Sequence, residues 1–243
     1  MTIRGYLVEA IGTFLVVLFG AGTVCTTYLT SYQTVGGATL AVALAEGLLL
    51  AGVLSWSTLL SPGCCNPAIA LSLWLTGKQG FAVVVRLLLV QAIGAILAGL
   101  VVRFLFVDAV LLDARLGTPH LKAILGREGV VTLASLTTGF LLEMLFSAVL
   151  TLLALTTLLQ PRRVQLGGLL VGLTQVAIIL FGFHLTGGSA NPARWLGPVV
   201  WQGSVSGLDT PFADHVVYWG GPAFGAMIAS IIYSQAIGES EPR

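Results

Sequence analysis

The sequence predicts an all-α membrane protein with six transmembrane helices and two re-entrant half-helices, arranged as an inverted repeat. Three observations carry this prediction. Apolar residues make up 56% of the 243 residues and charged residues only 9%, whereas an ordinary soluble domain has roughly 25% charged residues. Six apolar stretches are long enough to cross a bilayer. Two shorter apolar segments each begin with Asn-Pro-Ala.

The composition also limits the kinds of partner. The net charge of +1 gives no reason to expect nucleic acid or an acidic protein. The three cysteines include an adjacent pair, so no disulfide framework is expected. The three histidines lack the spacing of metal ligands, and no metal or cofactor is predicted. Residues 1–6 lead into an apolar stretch far longer than the apolar part of a signal peptide, and we interpret that stretch as the first span.

The six predicted spans come from counting apolar residues. A spanning helix needs about 20 of them in a row. Gly-rich and polar connections separate the stretches, and the longest and most polar connection covers about 108–132. The predicted spans are approximately 5–28, 38–60, 81–107, 133–159, 166–185 and 214–237.

Basic residues near the ends of the spans predict the orientation in the membrane. The side of the N-terminus has six of them and the opposite side has four, which favours cytoplasmic N- and C-termini. The six are Arg4, Lys78, Arg86, Arg162, Arg163 and Arg243, and the four are Arg103, Arg115, Lys122 and Arg127.

Two apolar segments, 66–75 and 191–201, are too short to span. Each would cover about 16 Å as a helix, roughly half of the ~30 Å hydrocarbon core. Asn is among the best N-cap residues and Pro is favoured at the first helical position. The triplets Asn66-Pro67-Ala68 and Asn191-Pro192-Ala193 therefore each predict the start of a short helix.

The chain also repeats itself. The halves, about 1–107 and 133–243, each hold three spans, so the second half must insert upside down. Inverted repeats with interrupted helices place a permeation site at mid-membrane. We therefore predict a single domain over 1–243. The first half reads Glu9-x-x-x-Thr13, Asn66-Pro67-Ala68, Ala92-x-Gly94-Ala95, and the second reads Glu143-x-x-x-Ser147, Asn191-Pro192-Ala193, Ala223-x-Gly225-Ala226.

Two Asn-capped helix ends that meet at mid-membrane suit a pore. Each N-terminus carries about half a positive charge, which repels protons and cations and costs neutral solutes little. If each Asn caps with its carbonyl oxygen, its NH2 group is free to orient a passing oxygen. One such triplet is a common helix start, whereas two at equivalent positions favour the pore. The backbone before each triplet must line a wet cavity, which suits Gly63, Gly187 and Gly188.

The stretch Thr186–Arg194 resembles the second signature of the major intrinsic protein family, the aquaporins and glycerol channels. The order of polar residues along the whole chain is also similar. This resemblance implies six tilted helices, two half-helices, one pore per subunit and a homotetramer in the plasma membrane. It also implies a passive channel and no enzymatic activity. The matching residues are Glu9, Asn66, Gln91-Ala92, Glu143, Asn191 and Gly221-Pro222.

The resemblance assigns roles to the loops before the half-helices. It implies that Glu9 and Glu143 brace these loops through backbone N–H groups, which fits the need of an intramembrane carboxylate for partners. Gln91 belongs to the same loop support. The pore-loop backbone is assigned to Gly63, Cys64, Cys65, Gly187 and Ser189.

The resemblance also implies a narrow selectivity filter, in which Arg194 matches the arginine of the family. Counting back from the triplets gives Glu46, Ile179 and Gly188 as its other members. Water-selective members usually have Phe, His and a small residue there, and glycerol channels usually have aromatic residues. Gly188 beside Arg194 is similar to the wide filters of plant members that pass silicic acid. Arg194 could instead reach the lipid headgroups.

Other markers of the family conflict. Glycerol channels have Asp directly after the arginine and a basic residue four positions later, whereas this chain has Trp195 and Val199. Tyr218-Trp219 resembles the pair found in water channels. The predicted permeants are therefore water and other small uncharged solutes. The alternative is a channel mainly for larger neutral solutes: glycerol, urea, silicic acid, arsenite or other metalloid hydroxides, and ammonia.

Glu46 departs most from the pattern of the family, and it has two interpretations. It either faces the pore and pairs with Arg194, or it lies one turn away and is hydrogen-bonded inside the bundle. In the pore it would neutralise the filter and add acceptor oxygens for donors such as water, polyols and ammonia.

Cys64 and Cys65 stand where the family commonly has His and an apolar residue. They either fill space as small residues or present a thiol to the pore. Three other classes of membrane protein compete with a channel: an enzyme, a structural or junctional protein, and an ion-coupled transporter. An enzyme would need a nucleophile with its base, or a metal cluster, and neither pattern is present in the sequence.

Overall fold

The computed structural model describes residues 1–29, 35–122, 131–159 and 166–236. In these ranges all regular elements are helical. The helices are α1 Ile3–Leu29, α2 Val35–Ser57, α3 Pro67–Leu75, α4 Phe81–Leu105, α5 Asp108–Asp113, α6 Leu133–Thr157, α7 Gly167–Gly182, α8 Pro192–Gln202, α9 Phe212–His215 and α10 Gly221–Ala236. A 3₁₀ turn, Arg115–Gly117, follows α5, and a π-helical turn, Val216–Gly220, joins α9 to α10.

Five helical segments in the described ranges are long and apolar enough to cross a membrane: α1, α2, α4, α6 and the continuous segment Phe212–Ala236. The remaining predicted span, the fifth along the chain, corresponds to α7, which is apolar but has only 16 residues. It ends at Gly182 because the carbonyl of Gly182 accepts the N–H groups of Leu185, Thr186 and Gly187. This turn directs the chain to the second triplet. The all-helical fold class is confirmed.

The structure differs from the sequence prediction in two connections. The connection 108–132 was predicted only as a long polar loop, but it holds α5 and the 3₁₀ turn because Leu111 and Leu116 bury their side chains completely. Residues 35–37, predicted to be a loop, form the first turn of α2. Several predicted loop and basic residues lie outside the described ranges: Thr34, Arg127, Glu128, Gln160 to Arg163, and Arg243.

The helices pack in a pattern that repeats between the two halves. In the first half α1 packs on α2 and α4, and in the second half α6 packs on α7 and α10. Each half-helix also packs on the last span of the other half, α8 on α4 and α3 on α10. The N-terminal ends of the two half-helices therefore meet at the interface between the repeats.

Two equivalent glycines allow the close approach of the repeated helix pairs. A Cβ atom on Gly94 of α4 would collide with the Ala10 carbonyl of α1, and one on Gly225 of α10 would collide with the Met144 carbonyl of α6. Without a hydrophobic driving force in lipid, helices associate through close packing of small residues. These positions fix the frame that surrounds the half-helices.

Candidate functional site

The two half-helices begin in the same way. Asn66 and Asn191 have extended backbones, and each side-chain Oδ1 accepts the N–H two residues later, from Ala68 and Ala193, at 2.9 Å. Proline occupies the first helical position of both. Each cap satisfies one of the N–H groups that a helix start leaves without a partner.

Each asparagine also binds the opposite loop. The Asn66 Nδ2 donates to the Ala190 carbonyl at 3.0 Å, and the Asn191 Nδ2 donates to the Cys65 carbonyl at 3.1 Å. We expected both NH2 groups to be free. Instead, one hydrogen of each is used between the loops, and the second has no partner among the described residues. The positive ends of α3 and α8 are therefore locked against each other.

A buried carboxylate on α1 holds the first loop. The Oε2 of Glu9 accepts the N–H of Cys65 at 2.9 Å and the side-chain amide of Gln91 at 2.7 Å. The same amide donates to the Gly63 carbonyl at 3.2 Å. Cys64 and Cys65 both have φ of 54°, a left-handed backbone that costs a non-glycine residue roughly 1–2 kcal/mol. Glu9 thus binds the N–H of a strained residue.

Glu143 of α6 holds the second loop in the equivalent way. Its Oε1 accepts the Thr186 hydroxyl at 2.6 Å and the Ser189 N–H at 3.1 Å, and its Oε2 accepts the Ala190 N–H at 2.8 Å. Ala190 has φ of 48°, and Gly187 and Gly188 also have positive φ. Both loops are therefore shaped by a carboxylate from the first helix of their own half.

Glu46 and Arg194 form a buried ion pair near the two capping asparagines. The Glu46 Oε2 lies 2.8 Å from the Arg194 Nε, and each residue is 3% exposed. The Nη1 of Arg194 donates to the Gly117 carbonyl at 2.9 Å. This burial rules out the alternative in which Arg194 reaches the lipid headgroups.

Two residues around this pair were missed in the sequence. Gln175 of α7 donates from one Nε2 to the Glu46 Oε1 at 3.2 Å and to the Gly188 carbonyl at 3.1 Å. An uncharged polar residue one helical turn before Ile179, inside an apolar span, was the available signal. The second is Gly117, at the end of the 3₁₀ turn after α5, whose carbonyl accepts from Arg194. The sequence holds no local signal for this contact.

Gly188 and Ile179 lie together. A Cβ atom on Gly188 would lie 3.1 Å from the Ile179 Cα, so the loop packs closely on the backbone of α7. The carbonyl of Gly188 is occupied by Gln175. The Ile179 side chain is 1% exposed and packs in an apolar cluster with Val42 and Phe183. Of these two residues, only Gly188 contributes a polar atom, its carbonyl oxygen, to the hydrogen bonds of Gln175 beside Glu46.

Two narrow cavities flank the ion pair, each with a volume of about 10 Å³. That volume is roughly what one water molecule requires. The outer cavity is lined by Arg194, Gly187 and the connection after α5. The inner cavity is lined by Glu46, Gln175, Asn66 and Asn191, together with Cys64, Ser189 and apolar residues of α1, α2, α3 and α6. The ion pair stands between them on a path that leads to the asparagines.

The comparisons with known proteins agree with this geometry. A family model described as Major intrinsic protein matches residues 1–233. The chain belongs to this family. Aquaporin TIP4-4 from Zea mays is 36% identical over 99% of this chain and 90% of its own length. Aquaporin A from Dictyostelium discoideum is 30% identical over 95% of this chain and 77% of its own length.

The fold of the major intrinsic protein family is also found by structural comparison. The X-ray structure of the aquaglyceroporin from Plasmodium falciparum superposes with a TM-score of 0.79. The superposition covers 97% of this chain and 96% of the aquaglyceroporin chain, at 21% sequence identity. The resemblance predicted from the two Asn-Pro-Ala triplets is therefore confirmed.

The adjacent cysteines of this family member have different surroundings. Cys64 lines the inner cavity, and its thiol donates to the Pro62 carbonyl at 3.4 Å. Cys65 is turned toward α1, where a Cβ atom on Gly12 would collide with its sulfur. Cys64 therefore lies beside the inner cavity, and Cys65 packs against α1.

The marker Tyr218-Trp219 of the family supports the second loop. Tyr218 donates its hydroxyl to the Thr186 carbonyl at 2.6 Å and stacks on Trp195 with ring centroids 5.5 Å apart. Both residues are fully buried, whereas Trp219 is exposed on the outer face of the bundle. This marker contributes to loop packing, and neither of its residues lines the two cavities.

Two residues of the connection after α5, His120 and Lys122, line the outer cavity. Lys122 donates its N–H to the Leu185 carbonyl at 2.8 Å, and its Nζ lies 3.8 Å from the centroid of the Phe183 ring. Burial lowers the pKa of Lys122 to about 8, and the charge of Arg194 adds to the effect. Burial lowers the pKa of His120 to about 3, so this imidazole is neutral at physiological pH.

Proposed function

We propose that the protein is a passive transmembrane channel for water and small uncharged solutes that excludes protons and ions. The observation that carries the proposal is the meeting of two asparagine-capped helix starts, locked by reciprocal hydrogen bonds beside a narrow cavity. The permeation path runs past Arg194 and Glu46 to Asn66 and Asn191.

Charge exclusion follows from the two half-helices. Their N-terminal ends each contribute roughly half a positive charge at the same place. Little water is there to screen this potential, so a cation or a hydronium ion meets a barrier that a neutral molecule does not. The free amide hydrogens of Asn66 and Asn191 donate to the oxygen of a passing solute. A water molecule held in this way donates to neither asparagine, which interrupts a proton wire.

The selectivity filter is assigned to Glu46, Gly188 and Arg194, with Ile179 packed in the apolar cluster behind them. Arg194 alone would place a full positive charge in the path, and Glu46 cancels it at 2.8 Å. The filter then selects solutes by hydrogen bonding and size. Carboxylate and carbonyl oxygens favour permeants that donate, such as water, ammonia and polyols.

A second candidate function is transport mainly of larger neutral solutes: glycerol, urea, silicic acid, arsenite and related metalloid hydroxides. The resemblance of Gly188 beside Arg194 to the wide filters of plant members that pass silicic acid favours it, although a Cβ atom at Gly188 would meet the backbone of α7 and not open space. The volume of each cavity, about 10 Å³, favours water.

Fluxes in proteoliposomes test both candidates. Stopped-flow light scattering should show water flux well above that of empty liposomes, with weak temperature dependence. A water flux equal to that of empty liposomes, together with rapid glycerol and urea uptake, would favour the second candidate. No flux of any solute would overturn the channel function.

The Glu46→Gln variant tests the role assigned to the filter. Removing the negative charge leaves Arg194 uncompensated in the path, so the relative fluxes of water, glycerol and urea should change. Leu48→Gln on the lipid-facing surface of the same helix is the control. Unchanged fluxes of every solute in Glu46→Gln would exclude a role of Glu46 in permeation.

The assembly proposed is a homotetramer in the plasma membrane, with both termini in the cytoplasm, one pore per subunit and no catalytic activity. Large apolar side chains exposed on the outer surface provide the area for lipid and for neighbouring subunits, among them Leu97, Phe104, Leu141, Leu145 and Phe181. Native mass spectrometry from mild detergent should give four times the 25.3 kDa chain mass. A stable monomer under the same conditions would contradict the tetramer.

A further inference from the structure

We propose that Gly20 of α1 is a specificity-determining residue of the channel, because it keeps open the space in which the carboxylate of Glu46 meets the guanidinium of Arg194. The proposal rests on the permeation path proposed above. It assigns part of the filter to a helix from which neither the sequence nor the family resemblance predicted a member.

The geometry is direct. A Cβ atom at position 20 would lie 2.5 Å from the Arg194 Nε and 2.9 Å from the Glu46 Cδ, and it would collide with the Glu46 Oε2. These atoms include both ends of the 2.8 Å ion-pair contact. A single methyl group would therefore occupy the place where the two side chains join.

Neither partner has room to move aside without losing another contact. Glu46 is held from the far side by the amide of Gln175, which also binds Gly188. Arg194 is held by the Gly117 carbonyl. Since both charges are buried, separating them leaves each without its opposite charge, which is a costly change. The methyl group must therefore displace the pair or the surrounding loops.

Gly20 faces the ion pair directly, since all three atoms nearest to a Cβ atom there belong to Glu46 and Arg194. It lies inside α1, where alanine is intrinsically the better helix former by about 1 kcal/mol. Gly22, two residues later on the same helix, has open space where its Cβ would lie. Gly20→Ala and Gly22→Ala thus make the same chemical change on one helix, but only the first reaches the filter.

The consequence is a change in selection among solutes. With the methyl group present, Arg194 and Glu46 separate, and Arg194 presents an uncompensated charge to the path. We expect the ratio of water to glycerol or urea flux in Gly20→Ala to differ from the wild type by about fivefold, the factor given by a modest change in interaction energy. Gly22→Ala should keep the wild-type ratio.

A double-mutant cycle gives the decisive test. Glu46→Ala removes the carboxylate that holds the Arg194 Nε, so the guanidinium can move away from the methyl group. Gly20→Ala should therefore change the flux ratio much less when it is added to Glu46→Ala than in the wild type. Its effect on the apparent unfolding temperature should fall to the general gain of alanine in a helix, about 1 kcal/mol, which Gly22→Ala measures. Contacting residues give such non-additive effects and distant ones do not. Additive effects, or a Gly20→Ala variant with wild-type fluxes, would overturn the proposal.

The unfolding measurement in detergent separates this inference from the channel function. If wild-type liposomes conduct no solute, the proposed function fails. The coupling between positions 20 and 46 in apparent unfolding temperature would still show whether Gly20 makes room for the ion pair. Without that coupling, the inference fails even if the wild type conducts.

Discussion

Glu46 and Arg194 show how a membrane protein keeps two opposite charges at one buried place. An unpaired charge at this depth is expensive, so intramembrane ionisable residues pair or face water. Here the carboxylate has partners from α7 and α8, and the guanidinium has partners from α2 and the connection after α5. Four separate segments therefore contribute to one polar cluster.

A residue-level prediction concerns the cysteines. Because only Cys64 lines the inner cavity, a small mercurial bound to its sulfur should block most of the solute flux. The reaction requires the reagent to enter the pore, so the block should develop slowly and be reversed by a reducing thiol. Stopped-flow water flux before and after treatment measures it.

The neighbouring cysteine supplies the control for this experiment. Cys64→Ser should abolish the block, and Cys65→Ser should retain it because the Cys65 thiol packs against α1 at Gly12. Full inhibition of Cys64→Ser would show that another cysteine or another path is involved.

At the scale of elements, each loop before a half-helix depends on a carboxylate from a neighbouring span. The loops hold several residues with left-handed backbones, at a cost of about 1–2 kcal/mol for each that is not glycine. The buried carboxylates compensate by accepting backbone N–H groups that would otherwise lack partners. The shape of the pore loops is therefore set by α1 and α6.

The two glutamates should respond differently to replacement by glutamine. Glu143 uses both carboxylate oxygens as acceptors, so an amide NH2 must face an N–H donor in Glu143→Gln. In Glu9 only Oε2 is used, and Oε1 has no partner among the described residues. Glutamine at position 9 can place its oxygen at the Oε2 site.

We therefore expect Glu143→Gln to cost about 1–3 kcal/mol and Glu9→Gln much less. The apparent unfolding temperature in detergent, followed by intrinsic fluorescence, should fall by about 2–4 °C per kcal/mol for a chain of this size. A larger fall in Glu9→Gln than in Glu143→Gln would contradict this account of the loop supports.

At the scale of the whole molecule, the described part of the chain buries several charged side chains inside the bundle and presents apolar side chains outward. Glu9, Glu46, Glu143 and Arg194 are all buried, and all have partners. The exposed surface of the spans is rich in Leu, Ile and Phe. The buried charges thus form the ion pair and hold the loops before the half-helices, while apolar side chains form the outer surface of the bundle.

The stability of the whole molecule should depend on pH through Lys122. Its pKa is lowered to about 8 in the folded protein, from 10.5 in an unfolded chain. Between these values the unfolded chain holds more protons, so stability rises with pH. We expect the apparent unfolding temperature of the wild type, relative to Lys122→Met, to rise by about 2–4 °C between pH 8 and 10. A difference that stays constant or falls over this range would contradict the lowered pKa.

Much of this protein could be predicted from the sequence because the controlling signals are local. Apolar runs of spanning length and Asn-Pro at a helix start need no knowledge of distant residues. The internal repeat also indicates which positions correspond in the two halves. The positions of the half-helices and the family could therefore be predicted, and the spans could be predicted to within a few residues.

The tertiary structure decided what these residues touch. The reciprocal bonds of Asn66 and Asn191, the role of Gln175 and the carbonyl of Gly117 at Arg194 join segments far apart in the chain. The same holds for the space left by Gly20. No periodicity or cap specifies such contacts, because they depend on how six helices cross in three dimensions. The sequence by itself determined that a pore-like path is built, and the packing of distant helices determined which atoms line it.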